Sequence, residues 1–436
     1  MNDRPQRVLP ALVWVPTLYI AMGLPYSLVN WVSGTMLKNL GHTDTQITVA
    51  TGLIGLAWTL KPLWASFLDM YRTKKFWVLS MEILMAVLLG LIAAALPLPS
   101  YFQLIIGILW VIAFSSSTQD ICADGIYVTA LSEESQARWI GWQGAAWNVG
   151  RILATALIVK LASVLQNGGQ SPKTAWGVAM LGAAAVMAAF SLYHSYVLPT
   201  GSVTRRPENS REVFTTFIET LLDFLKKPKL GWMLLFVALY RSGEGFLLLE
   251  GPLFMQAPLS AGGLGLSLED KAFLDGWVST GASLAAGVLG GMYISRFGLK
   301  KSLVFMALCM NIPHVCYVYL SHAVAPDAPL SLTTIGILVT IEKFGYSFGF
   351  VANMLYMMQQ MAPGKYKMTH YAFCTALMNL MLTPTQSASG PIADWLGYKH
   401  YFVFVMLASI PSVIAAWFAP FPHQESAGDG APRAAH

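Results

Sequence analysis

Apolar runs of about 20 residues recur from one end of this chain to the other, each long enough to cross a hydrocarbon layer of about 30 Å as a helix. Inside a bilayer every backbone N–H and C=O must find its partner within the protein, which leaves helices or closed barrels. Unbroken apolar runs, rather than alternating ones, select helices. Twelve are read at 12–37, 45–68, 77–97, 102–123, 139–163, 175–197, 230–256, 272–294, 302–321, 332–360, 369–391 and 401–420. Composition agrees, with only 11% charged residues against about 25% in soluble chains. The expected class is an all-α membrane protein with twelve transmembrane helices. The first run is too long for a signal-peptide core and lacks a small-residue cleavage site, so it is expected to be a permanent helix.

The net charge of +5 does not form a nucleic-acid stripe, because the basic residues are scattered over short loops. With both termini cytoplasmic, the loops on that side hold 19 of the 27 Lys and Arg, including Lys61, Arg72, Lys74 and Lys75. The opposite loops hold Lys38, Lys160, Lys173, Lys271 and Lys399, and Arg151, Arg241 and Lys343 fall inside apolar runs. That asymmetry follows the positive-inside rule and sets the expected orientation. The four cysteines show no ligand spacing, so neither a metal nor a disulfide framework is expected. No catalytic triad or nucleotide loop stands out; GGLGLS at 262–267 lacks the lysine of a phosphate loop. Neither an enzyme nor a cofactor is expected.

The longest polar interval, 198–229, separates six runs from six and divides the chain into 1–197, a linker, 230–421 and a tail from 422. Phe214, Phe217, Ile218, Leu221, Leu222 and Leu225 space out as one face of an amphipathic helix at the membrane surface. ASFLDMYRTKK at 65–75 has a counterpart in GMYISRFGLKK at 291–301, a faint internal repeat. Glycines at 52–55 and at 281, 287, 290 and 291 suit close helix packing, and Pro384 suits a kink.

Polar residues inside the runs carry the functional signal, since a charge at the bilayer centre costs roughly 2.5–3.5 kcal/mol on insertion scales. Asp120 and Asp124 share one helical face, with Gln119 beside the first. Two carboxylates that close in a poor dielectric form a natural seat for a proton, although Arg151 or Arg138 could equally anchor them as a structural pair. Arg241 and Glu244 stand three apart, close enough to pair along one helix. Glu342 and Lys343 are adjacent and so point about 100° apart, which excludes one common neighbour. Arg151 offers a planar fork suited to a carboxylate or phosphate. Glu250, toward the far end of its run, reads as an entrance or interface residue.

Phrases in order along the chain resemble the AmpG-type muropeptide permeases of the major facilitator superfamily: GLPYSLV at 23–29, TLKPLWASFLDMY at 59–71, QDICADG at 119–125, LYRSGEGF at 239–246, EKFGYSFGFVANMLYMMQQM at 342–361, HYAFCTALMNL at 370–380 and SGPIADWLGY at 389–398. The resemblance implies a major facilitator fold of two six-helix bundles with a solute held between them. It also implies that Asp69, Arg72, Lys74 and Lys75 match that superfamily's helix 2–3 gating signature, without its glycines. By the same resemblance, Tyr26, Trp31, Gln143, Trp147, Asn148, Arg151, Tyr240, Arg241, Glu342, Lys343 and Gln119 would face the solute. Asp120, Asp124 and Glu244 would carry the proton.

The implied activity is proton-coupled import of an amphiphilic anionic solute across a bacterial inner membrane by a monomer, with anhydromuropeptide as the leading solute. A siderophore or other natural-product importer is the alternative, and a non-transporting sensor the third reading. Gly125-Ile126-Tyr127 and GWQGAAWNVGRI depart from the pattern of the muropeptide branch, so specificity can differ from that of its members.

Overall fold

The computed structural model describes residues 9–423 except 62, 66, 67, 69–71, 132, 202–209, 326, 327, 365 and 366. Asp69, residues 202–209 of the linker, and the tail from 424 therefore lie outside the described residues. The described chain is helical throughout, with no strand. Ten helices are long and apolar enough to cross a membrane.

In chain order the elements are α1 (Ala11–Asn39), α2 (Asp44–Thr51), α3 (Leu56–Thr59), α4 (Lys74–Ala95), α5 (Tyr101–Ala130), α6 (Glu133–Ile152), α7 (Val159–Asn167) and α8 (Pro172–Val197). After the linker come α9 (Ser210–Leu225), α10 (Leu230–Tyr240), α11 (Ser242–Gln256), α12 (Leu268–Phe297), α13 (Leu299–Ala323), α14 (Leu332–Met361), α15 (Lys367–Ala408) and α16 (Ile410–Trp417).

Polar caps start the spans where the apolar runs begin. Thr43 and Gln46 form a capping box on α2, and Ser171, Ser267 and Ser331 each accept a backbone N–H of the first turn. The apolar run 45–68 is not one helix but α2, a turn and α3. The runs 369–391 and 401–420 lie in a single long apolar stretch, Thr369–Trp417, broken in its dihedrals at Gly397. Gly397 has a φ of 69°, which a residue with a Cβ rarely adopts. At Pro384, the expected kink, the chain keeps helical dihedrals.

A small buried apolar cluster, Leu37, Ile47 and Leu253, joins the halves of the chain, while the two largest divide along it. Leu24, Met85, Ile112, Trp176 and their neighbours form one, to which only Leu268 and Ala272 come from beyond the linker. Phe236, Met306, Phe348 and Tyr356 centre a second, built from residues after 223. Leu12, Val87, Val111, Leu181, Trp232, Val288 and Trp395 stay exposed, which is the surface a bilayer would cover.

The hydrogen bonds and ion pairs seen between the two halves of the chain gather at the end away from the termini. Thr45 donates to Asp394 (2.6 Å), the Gly390 N–H to Thr48 (3.1 Å) and Gln256 to the Thr35 carbonyl (3.1 Å). Lys160 and Glu269 pair at 3.1 Å. Tyr398 donates to Asp44, which also pairs with Lys38 and lies against the fully buried Glu250. Glu250 is thus a junction residue.

Of the linker helix, Phe217 and Phe224 pack on Phe373 of α15 while Phe214, Leu222 and Leu225 remain exposed. Beyond it Lys227 donates to the Pro363 carbonyl, and burial lowers its ammonium from the usual lysine range.

Candidate functional site

Two arginines face the junction from opposite halves, and each is held by aromatic rings rather than by a carboxylate. Arg151, at the end of α6, lies 4.6 Å from the Trp31 ring of α1. Trp31 in turn meets Tyr26 and Trp147 edge-on, and Tyr26 packs on Trp58. Arg241, where the chain breaks between α10 and α11, lies 4.8 Å from the Phe350 ring and donates to the Tyr346 hydroxyl at 2.9 Å. The Nε atoms of both arginines are buried without a hydrogen-bond partner. Arg151 and Tyr346 lie within electrostatic range across the junction, as do Tyr26 and Arg241. A cation stacked on a ring keeps its in-plane donors available, so this is a place where an anion can be gripped between flat surfaces.

Close backbone approach holds the first-half part of the site. A Cβ on Gly23 would stand 2.2 Å from the Trp147 carbonyl oxygen, and one on Gly150 only 2.3 Å from that of Ile20. Those glycines let α1 and α6 cross almost in contact, which brings Trp31 under Arg151. π-helical turns at Leu28–Val32, Leu153–Ile158 and Phe273–Val278 flank the same junction, a feature frequent at functional positions. Ala156 and Gly276 meet there, since a Cβ on Gly276 would fall 2.3 Å from that of Ala156.

The carboxylates are partnered differently from the sequence expectation. Asp120 pairs with Lys61, assigned above to a loop, rather than with Arg151, while the side chain of Arg138 lies outside the described residues; Asp124 is exposed and accepts from Tyr19 at 2.8 Å. Gln119 turns away from both and donates to Glu82 at 2.9 Å. Arg241 and Glu244 do not pair, because the break at Arg241 (φ −109°) removes the continuous helix on which that spacing relied. Glu342 and Lys343 do pair, at 2.9 Å, since the long lysine chain overcomes the angle between adjacent positions.

Tyr240 belongs to the core: it is fully buried, donates to the Gly349 carbonyl at 3.0 Å and packs on Phe236. Asn148 donates to Gly144 on its own helix, whereas Gln143 keeps a buried amide oxygen without a partner. Lys74 lies along Gly125 of α5 and Arg72 stacks on Phe76, both within the first half. Lys75 donates its backbone N–H to the Thr200 carbonyl.

Two buried networks were missed. In the first half Glu82 accepts from Gln119 and meets His194 Nδ1 at 2.7 Å, while His194 Nε2 meets Thr17 at 3.2 Å. In the second, His314 Nε2 lies 3.5 Å from Glu244, and Glu342 stands close by with Lys343. Each network draws on the first, third, fourth and sixth apolar runs of its half, since Ser409 bonds His314 at 2.9 Å. A histidine within an apolar run was the available signal.

The sequence profile of the Major Facilitator Superfamily matches residues 17–381. The chain is 23% identical over 412 residues to a Rickettsia conorii (strain ATCC VR-613 / Malish 7) protein that carries the transporter name AmpG 4, covering 91% of this chain and 93% of that one. It is 22% identical over 435 residues to the anhydromuropeptide permease of Escherichia coli (strain K12), covering 91% and 77%. Among solved structures, a bacterial homologue of the human lysosomal transporter Spinster, inward-facing and unoccupied, matches with a TM-score of 0.70 at 14% identity, over 97% and 98% of the two chains. That likeness is one of fold alone.

Proposed function

This chain belongs to the Major Facilitator Superfamily of membrane transporters, and from that premise we propose that it imports an amphiphilic anionic solute together with protons. The fold is read as twelve transmembrane helices in two six-helix bundles, 1–197 and 230–421, with α2–α3 as the second span and α15–α16 as the last two. The two buried networks, supplied by corresponding runs in each half, support that division. Both termini are assigned to the cytoplasm on the charge asymmetry of the loops. The junction bonds then close the side away from the cytoplasm, an inward-facing arrangement in which the halves rock about a central site. The protein is read as a monomer of a bacterial inner membrane.

The single observation that carries the solute class is the pair of ring-stacked arginines, Arg151 and Arg241, on opposite halves. An anionic group held by both would bridge the halves, and the rings of Tyr26, Trp31, Trp147 and Phe350 offer flat apolar surfaces beside it. A sugar ring linked to carboxylates has that combination, and the named relatives make anhydromuropeptide the leading choice. Asp120 with Lys61, Asp124 and Glu244 are the groups proposed to carry protons. Asp69, Arg72, Lys74 and Lys75 remain the proposed gating residues.

Purified protein in proteoliposomes should accumulate radiolabelled anhydromuropeptide when the outside is made acidic, and should stop when a protonophore collapses the gradient. Accumulation unaffected by the protonophore would remove proton coupling. No uptake of anhydromuropeptide, with uptake of a ferric siderophore instead, would replace the solute.

A further inference from the structure

We propose that Glu244 and His314 hold one exchangeable proton between them, making the contact between α11 and α13 the proton seat of the second half. The proposal rests on the proton-coupled reading above and narrows it to two residues, one of which the sequence did not suggest.

Hydrogen-bond bookkeeping supplies the argument. Ser409 has one hydroxyl proton and donates it to the Val405 carbonyl at 2.8 Å. It therefore accepts from His314 Nδ1, 2.9 Å away, and Nδ1 carries a hydrogen. The other ring nitrogen, Nε2, faces Glu244 Oε2 at 3.5 Å, and neither atom has another partner. A bare imidazole lone pair aimed at a bare carboxylate would be two acceptors in a buried space. One proton belongs between them, on the ring as imidazolium or on Glu244 as carboxylic acid.

Charge balance points the same way. Glu342 is neutralised by Lys343 at 2.9 Å, so the four residues Glu244, His314, Glu342 and Lys343 are together neutral with that proton and carry one negative charge without it, with no cation in direct contact with Glu244 among the described residues. Glu244 and Glu342 are fully buried and His314 is 1% exposed, where an unpaired charge is expensive. Tyr346 and Tyr317 lie within electrostatic range of Glu244, Cys316 of Glu342, and Arg241 and Asp275 reach those two tyrosines in turn. Glu244, His314 and Glu342 also bring their ligand atoms within 4.8 Å of one another, as a metal site would. The Lys343 ammonium already occupies the cationic place beside Glu342, which favours a proton over a metal ion.

The seat is wired to the solute position. Tyr346, which accepts from Arg241, lies within electrostatic range of Glu244. An anion bound at Arg241 offsets the positive field at Glu244 and so strengthens proton binding there; by linkage the proton strengthens anion binding equally. That sign is the one cotransport needs.

Infrared difference spectra of the purified protein between pH 5 and pH 9, with and without a chelator, test the seat without any solute. The wild type should show a pH-dependent band from the pair, either the carboxylic acid C=O of Glu244 or an imidazolium ring mode of His314, and the absence of both overturns the proposal. Glu244→Gln and His314→Gln should each shift the midpoint of that band or remove it. A band unchanged by both substitutions overturns the proposal, as does one stoichiometric metal ion that copurifies with the wild type and is lost in Glu244→Gln. If Glu244→Gln does not yield monodisperse protein, the His314→Gln midpoint decides. Should the band behave as stated while the wild type accumulates no anhydromuropeptide under a pH gradient, the seat stands and the functional reading alone fails.

Discussion

Arg151 and Arg241 are cations that the fold keeps beside aromatic faces, without an ion pair to a carboxylate among the described residues. A guanidinium is weakly hydrated and planar, so it can lie on Trp31 or Phe350 and still present its edge to a ligand, which a lysine ammonium cannot do. Arg151→Lys and Arg241→Lys are each expected to lower uptake of an anionic solute by about tenfold or more, equivalent to about 1.4 kcal/mol, with membrane insertion unchanged. Concentration-dependent uptake in proteoliposomes checks this, and wild-type uptake in both variants would remove the arginines from the solute site. The arginines themselves were legible, since a charge inside an apolar run announces itself. Their partners were not. Spacing three apart predicted that Arg241 would meet Glu244, but that rule assumes an unbroken helix and the chain turns at Arg241. Ring contacts such as Arg151 on Trp31 join residues far apart in sequence, which periodicity cannot see.

At the scale of helices, the crossing of α1 and α6 sets where the first-half aromatics stand. Gly23 and Gly150 are the points of contact, and neither was singled out for packing in the sequence; of the glycines that were, Gly52 and Gly290 do meet neighbouring helices, whereas Gly55, Gly281, Gly287 and Gly291 have nothing within 4 Å of an added Cβ. Glycine frequency reports that close packing occurs somewhere; only the three-dimensional register says where. A methyl group at Gly150 would press on backbone atoms that cannot swing aside, so Gly150→Ala is expected to cost about 1–3 kcal/mol by overpacking. Gly144→Ala, on the open side of the same helix, should cost far less. Thermal melting of the two variants in detergent gives the comparison, and equal midpoints would show that the crossing tolerates separation. Helix existence was legible from apolar length almost everywhere. The break at Gly397 was legible too, as the polar gap between the runs 369–391 and 401–420, but the turn between α2 and α3 falls inside the run 45–68, where hydropathy does not mark it.

For the whole molecule, the bonds between the halves collect at one end, where polar groups stand beside a small apolar cluster of Leu37, Ile47 and Leu253. Asp44 receives the Tyr398 hydroxyl and the Lys38 ammonium, Thr45 donates to Asp394, and Glu250 is buried against Asp44. Polar contacts suit a closure that must be reversible, because water can replace each lost bond when the halves part, whereas an extended apolar seal would resist opening. Closure should therefore weaken in steps as these bonds are removed. Tyr398→Phe combined with Thr45→Ala deletes two cross-half donors at that end while leaving Arg151, Arg241 and the Glu244–His314 contact intact. Spin labels at Leu98→Cys and Lys399→Cys, both exposed positions near the closed end and on opposite halves, report the separation on a background freed of the native cysteines. In the parent the distance distribution should be dominated by a short component. The double substitution should transfer population to a longer one by a factor of about ten in the equilibrium ratio, as expected for two hydrogen bonds worth roughly 0.5–1.5 kcal/mol each. An unchanged distribution would mean that the end is held shut by packing around Gly52, Gly276 and Gly390, where helices of the two halves touch, and the polar cluster would then have no part in opening.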